Sequence, residues 1–275
     1  IKPEDRLMST HLQPVPLLNN CLFFNRQNFK RTYSVEVIID IEYKTPQAIT
    51  YRVAISYGVN SLGRSIAEVV TVGFLVNHRE PQSILEEIAV KCREALSRCV
   101  FEINVRNEII GIENYFEILR RWEDVKMQLL IENTGDIAER YLDMFEASLT
   151  DADVLLTKLR KDSFIGNYFS PIYNAPYHGY KRTFSENFTF FNVEYDEDLI
   201  LEITEGGNFD EYGHATVIKR LSDPDNYERL IPIEVYEAKY TLDNSLAIKR
   251  IDGVFLNYGK RYLFTIEQTD NNDDN

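Results

Sequence analysis

The chain has 275 residues, 44% of them hydrophobic and 27% charged, with 30 basic and 44 acidic side chains for a net charge of -14. That composition supports a buried core in one large or two small domains and excludes a wholly disordered chain, and no apolar run approaches the ~18 residues of a membrane-spanning helix. Residues 181–275 hold 10 basic and 20 acidic side chains against 13 and 12 in residues 1–112, so a polyanion is repelled there and no nucleic-acid partner is expected.

Residues 1–32 carry Pro3, Pro14 and Pro16 without a sustained period, which predicts an irregular arm with a short apolar piece at 17–24. A β-rich half with one amphipathic helix follows over 33–112. Runs at 33–43 and 50–57, broken by Thr45-Pro46, read as a hairpin because Tyr51, Val53, Ile55 and Tyr57 alternate with smaller or polar residues. A third strand is expected at 67–76. The stretch 81–99 predicts a helix, with Pro81 in its first turn, Glu86 and Glu87 near its positive end, and Ile88, Cys92, Leu96 and Cys99 on one face. Two short strands are expected on either side of Arg106-Asn107.

Residues 113–165 read as a helical middle. Ile112, Phe116, Leu119, Trp122, Lys126, Leu129 and Leu130 trace a mostly apolar stripe that ends at Asn133-Thr134-Gly135, and this places Trp122 in the core. A second helix uses Ile137, Tyr141, Met144, Phe145 and Leu149. A third, with Leu155, Leu156 and Leu159 inside, begins where Thr150 and Asp153 resemble a capping box. Short connections predict antiparallel packing of neighbouring helices.

Residues 166–268 read as an aromatic loop followed by antiparallel strands at 184–195, 199–204, 215–221, 233–242, 247–257 and 260–268. Turns are expected at Asp196-Glu197-Asp198, Gly206-Gly207, Asp223-Pro224, Asp243-Asn244 and Tyr258-Gly259. Residues 269–275 read as a disordered acidic tail. The resulting fold class is α+β, with antiparallel sheet segments from both halves of the chain flanking a central antiparallel helical region; whether the two β regions share one sheet is left open.

Motifs that would carry chemistry are weak. Gly58-Val59-Asn60-Ser61-Leu62-Gly63-Arg64-Ser65 fits a phosphate-loop spacing, but Arg64 stands where a lysine is needed and β-branched residues follow where a helix must begin. None of His11, His78, His178 and His214 has metal-ligand spacing. The acidic groups Asp196-Glu197-Asp198 with Glu202, and Asp210-Glu211, lack the grammar of a calcium loop and read as solvated turns. No nucleophile elbow occurs. No catalytic residue, metal ligand or cofactor is therefore assigned.

The strongest oddity is aromatic: eleven of the chain's Phe, Trp and Tyr residues fall between Phe164 and Tyr195. Phe164, Phe169 and Ile172 read as packing residues. Tyr168, Tyr173, Tyr177 and Tyr180, in a segment broken by Pro171 and Pro176, are the candidate binding residues, because no regular period can send them all inward and tyrosine offers a large rigid face with one hydroxyl. The favoured function is a non-catalytic binding or structural component acting through contacts with a protein partner or with a second copy of itself. The alternatives are a carrier of an apolar small molecule in a sheet-and-helix cavity and an enzyme whose site is assembled from distant residues. Three cysteines without a CxxC pair, two of them about 10 Å apart along the expected helix, point to reduced thiols and a cytoplasmic location; the chain starts at Ile1 rather than Met, so removal of an export signal is the competing expectation.

Overall fold

The computed structural model describes residues 13–132, 135–190, 193–223 and 233–269. His11, Asn133, Thr134, Phe191, Pro224 and the tail beyond Thr269 lie outside the described residues. The first five strands form a meander: β1 (Lys30–Ile41), β2 (Gln47–Val59), β3 (Ser65–Val76), β4 (Arg98–Ile103) and β5 (Ile109–Ile112). The last six form another: β6 (Lys181–Phe190), β7 (Val193–Ile203), β8 (Ala215–Leu221), β9 (Val235–Leu242), β10 (Ile248–Asn257) and β11 (Lys260–Thr269). Antiparallel pairing of β1 with β11 joins the two into one eleven-stranded sheet in the order β5-β4-β3-β2-β1-β11-β10-β9-β8-β7-β6. The two β regions thus share a sheet and do not flank the helices as separate layers.

Period-two alternation decides which face is covered. Tyr33, Val35 and Val37 of β1 are buried together with Phe264 and Ile266 of β11, while Ser34 between them is exposed. Across β10 the same inner row passes through Gly253, which faces Phe264; a Cβ there would lie 1.9 Å from the Phe264 ring, so the phenyl packs directly on the glycine backbone. Five helices, α1 (Ile84–Glu94), α2 (Tyr115–Glu132), α3 (Asp136–Ala147), α4 (Ala152–Leu159) and α5 (Ser163–Tyr168), connect β3 to β4 and β5 to β6. Residues of all five, with Val15, Leu22 and Phe24 of the N-terminal arm, join the inner face of the sheet in one hydrophobic core. A smaller aromatic cluster of Tyr195, Tyr236 and Phe255, with Phe188 and Phe190 against it, sits under the β6–β7 hairpin.

Several local expectations need correction. Helix α1 starts at a capping box between Ser83 and Glu86 but stops at Glu94, because 98–103 pairs with β3; Cys99 is a strand residue in register with Val69. Helix α2 turns Ile118, Trp122 and Leu129 inward, which keeps Trp122 in the core but leaves Phe116 of the expected stripe 81% exposed. In α3, Ala138 and Leu142 are buried while Ile137 and Met144 face outward. The cap of α4 is Asp151, which accepts from Val154 N at 2.8 Å, and not Thr150. Asp196-Glu197-Asp198 is no turn: it lies within β7, where Asp196 and Asp198 are exposed between buried Tyr195 and Leu199. The aromatic segment begins with a short helix, α5, capped by Asp162, which accepts from Phe164 N and Ile165 N.

All three cysteines are free thiols. Burial pushes the thiols of Cys92 and Cys99 up to about 12, which leaves almost no thiolate at neutral pH. Alkylation of the native protein at pH 7.5 should therefore modify Cys21 alone, and all three cysteines after denaturation; rapid native labelling of Cys92 or Cys99 would contradict the packing of α1 and β4.

Candidate binding cleft on the inner face of the sheet

The two edge strands, β5 and β6, line a common cavity, so the sheet curls and its inner face is concave. Five helices, three of them between eight and twelve residues long, fill that trough incompletely. A mostly apolar space lies between β1, β2 and β3 on one side and α1, α3 and α4 on the other, a cleft of about 540 Å³. Val37, Ile39, Ile49 and Phe74 form its sheet wall; Ala89, Val90, Tyr141, Phe145 and Leu155 form its helix wall. The side chains reach the cleft for reasons already in the sequence. Ile49 lies opposite Val37 and Ile39 is the next position of β1 on the same face, while Ala89 adjoins the buried Ile88–Cys92 stripe of α1 and Leu96 follows the helix end.

One polar feature crosses this apolar cleft. Arg93 of α1 donates to Asp162 Oδ2 at 2.6 Å, and its guanidinium lies 4.8 Å from the centroid of the Phe74 ring, which stacks on Tyr51. Burial opposes the charge on Arg93, but Asp162 and Tyr51 outweigh it and hold the group protonated. Asp162 therefore caps α5 and anchors α1 at once. Tyr262 hydrogen-bonds Ser163 beside it, and burial pushes its hydroxyl up to about 12, so it stays neutral.

Two further spaces continue along the trough. A cavity of about 330 Å³ shares Asp162, Ser163 and Tyr262 with the cleft and reaches Lys219 of β8. Lys219 is 1% exposed and donates to Glu186 at 3.1 Å and to Ser170 Oγ at 3.3 Å. Burial disfavours the ammonium, and the Glu186 carboxylate reverses the balance and keeps it charged. A third space, between the sheet edges, is lined by Arg106, Arg160 and Arg182.

Of the residues that the sequence nominates for binding, Tyr168, Tyr173 and Tyr177 are buried and only Tyr180 is exposed, at 36%. Three of the four tyrosines are thus core residues, and Tyr180 alone of the four reaches solvent. Tyr173 donates to Leu246 O at 2.7 Å and Tyr177 to Ile172 O at 2.9 Å, while Tyr168 packs edge-on against Tyr33 and Phe169. The segment lacks a regular period because its backbone bonds to the arm instead, through Asn174 N to Leu22 O and Tyr177 N to Asn20 O. Gly58 to Ser65 is the connection between β2 and β3: Asn60 accepts from Leu62 N and Arg64 N, Arg64 pairs with Glu102, and a strand follows. His78 is exposed beside Glu36, and Asp210 accepts from Tyr212 N and His214 N in a tight turn. Among the described residues, no three His, Cys, Asp or Glu side chains gather in an arrangement able to hold a metal ion, and no helix is long and apolar enough to cross a membrane.

The cleft residues were not singled out by sequence reasoning, and one signal was available. In β8 the alternation of Ala215, Val217, Lys219 and Leu221 puts a lysine on the inward face, where charge is rare unless paired. Arg93 sits at the border of the α1 apolar face, where a surface residue is equally expected.

The burial of the tyrosines sets a stability expectation. Changing Tyr173 and Tyr177 together to Ser should destabilise the fold by about 5 kcal/mol or more, because two buried aromatic rings are lost, whereas Tyr173→Phe, which removes one hydroxyl, should cost about 1 kcal/mol. Urea unfolding measures both; a double variant as stable as the parent would return these tyrosines to the surface.

Comparison with known proteins returns no matching family model and no matching curated protein. Among solved structures, the chain is similar to lipovitellin, in a study of its lipid–protein interactions, with a TM-score of 0.49 and 9% identity over 90% of this chain and 26% of that one. It therefore spans about a quarter of that chain. It also matches a LolA superfamily protein from Nitrosomonas europaea, with a TM-score of 0.19 and 7% identity over 90% of this chain and 89% of the other. A putative outer membrane lipoprotein-sorting protein domain from Vibrio parahaemolyticus gives a TM-score of 0.22 and 7% identity over 89% and 87%.

Proposed function

We propose that the protein is a non-catalytic binder or carrier of an apolar small molecule, held in the cleft between β1–β3 and α1, α3 and α4. The observation that carries this reading is the cleft itself: about 540 Å³ of space walled by Val37, Ile39, Ile49, Phe74, Phe145 and Leu155. Its size falls in the range of small-molecule sites, which are mostly apolar with a few placed polar groups. Each methylene transferred from water into such a space contributes about 0.8 kcal/mol, so a ligand of modest length gains enough to offset its loss of freedom. Arg93, Asp162 and Tyr262 supply the polar groups that would orient it.

A second reading, contact with a protein partner, is favoured by a different surface from the tyrosine loop. Phe116, Met127 and Ile131 lie on the outward side of α2, opposite its buried stripe, and Ile137 and Met144 lie outward on α3. Exposed apolar groups of this kind are typical of contact sites.

One titration separates the two. The neutral dye Nile red should bind saturably with one site per chain, and Ala89→Trp, which places an indole in the cleft, should weaken binding at least tenfold without lowering the melting temperature. Phe116→Ser with Ile131→Ser should leave the titration unchanged. Loss of binding in the α2 variant with full binding in Ala89→Trp would transfer the activity to the helix surface.

A further inference from the structure

The third space in the trough has a chemistry unlike the cleft. It occupies about 620 Å³ where the curled sheet brings β5 and β6 towards each other, and Arg106, Arg160 and Arg182 all line it. In a chain of net charge -14, three guanidinium groups on one cavity oppose the general field of the protein. Two acids share the lining, Glu108 and Glu186. Glu108 accepts from Asn104 Nδ2 at 2.6 Å, and Glu186 is engaged by buried Lys219. Lys219 balances Glu186, while the amide bond leaves the charge of Glu108 in place, so three guanidinium groups face one uncompensated carboxylate and the cavity keeps a surplus of positive charge.

Two of the arginines are positioned by the backbone. Arg160 Nη2 donates to Ile109 O and Arg182 Nη1 to Pro171 O, each at 2.6 Å. Each bond uses a single N–H of the five that a guanidinium carries and ties the group to the backbone at the cavity wall. Burial and the neighbouring Arg106 both lower the pKa of Arg182, partly offset by Tyr177 and Glu108. Its charge is thus held at a cost that an anion in the cavity would relieve. Ile110, Phe169 and Phe184 add apolar side chains to the lining, and a low-dielectric wall strengthens an ion pair formed beside it.

We propose that the cavity between β5 and β6 is a phosphate-binding site, in which Arg106, Arg160 and Arg182 grip the oxygens of a phosphate group. Guanidinium forks match phosphate oxygens in pairs, and three cations suit a dianion better than a single carboxylate. The group can arrive as inorganic phosphate or as the head of a phospholipid; the recognition chemistry is the same. The site uses none of the residues that wall the apolar cleft, so its test is independent of Ala89→Trp.

The experiment is isothermal titration at low ionic strength with two probes, inorganic phosphate and dihexanoyl phosphatidic acid below its micelle concentration. Saturable binding of inorganic phosphate is expected, weakened at least tenfold by Arg182→Gln and by Arg106→Gln, and unaffected by Arg250→Gln on β10. Arg106 is exposed, so its variant keeps the test valid if loss of the Arg182 bond to Pro171 O destabilises the fold. Binding of the phosphatidic acid at least tenfold tighter than that of phosphate, and still dependent on Arg106, identifies a lipid head; equal affinities identify free phosphate or a small ester. Failure of both probes to bind, or binding indifferent to Arg106 and Arg182, would overturn the site.

Discussion

The ladder between β1 and β11 is the contact on which the rest of the structure depends. It runs from Thr32 opposite Thr269 to Ile41 opposite Lys260, and without it the chain is two meanders, each with one extra open edge prone to wrong pairing. Val35 opposite Ile266 and Val37 opposite Phe264 put four buried apolar side chains on one side of the seam. A one-residue slip would turn them all to solvent, so burial at this seam sets the register of the whole sheet. Because the ladder joins the first strand to the last, it closes a loop of nearly the full chain; its entropic cost predicts slow folding relative to a helical protein of equal length.

A curled sheet has a concave face that must be covered and a convex face that can stay wet. The convex face manages its charge with surface pairs such as Arg64–Glu102, Arg98–Glu68 and Arg250–Glu267, each worth little to stability. The concave face receives α1 to α5, and its remaining spaces differ in chemistry along the trough. Near β1–β3 the walls are aliphatic and aromatic; towards β6 they acquire Lys219, Glu186 and the three arginines. A buried ammonium–carboxylate pair gives no clear gain over packed apolar residues, so the Lys219–Glu186 pair is better explained by the polar character it gives that end of the trough than by stability.

Strands were legible and helix faces less so. Residues 215–221 and 260–268 announced themselves through alternation and glycine or asparagine turns, and both are strands. The end of α1 was misplaced because Ala95, Leu96 and Cys99 continue a helical period that the β3–β4 ladder overrides. The buried side of α2 was ambiguous for a physical reason: Phe116, Met127 and Ile131 are apolar but lie opposite Ile118, Trp122 and Leu129, so two stripes compete on one helix. The burial of Tyr168, Tyr173 and Tyr177 is not legible in local periodicity, because the order of their loop comes from the N-terminal arm. The apolar cleft needs three strands and three helices to meet, and the β1–β11 pairing that shapes the trough joins opposite ends of the chain.

The central claim is that the concave face holds an apolar ligand between the sheet and its helices. Methyl-selective NMR of the protein titrated with 1-decanol tests it most directly, because isoleucine and leucine methyls sit both in the cleft and on the outer helix surfaces. The account predicts saturable shifts at Ile39, Ile49 and Leu155, which line the cleft, with Ile131 and Ile137 unmoved on the outside of α2 and α3. Shifts confined to Ile131 and Ile137, or no saturable shift at any methyl, would contradict it.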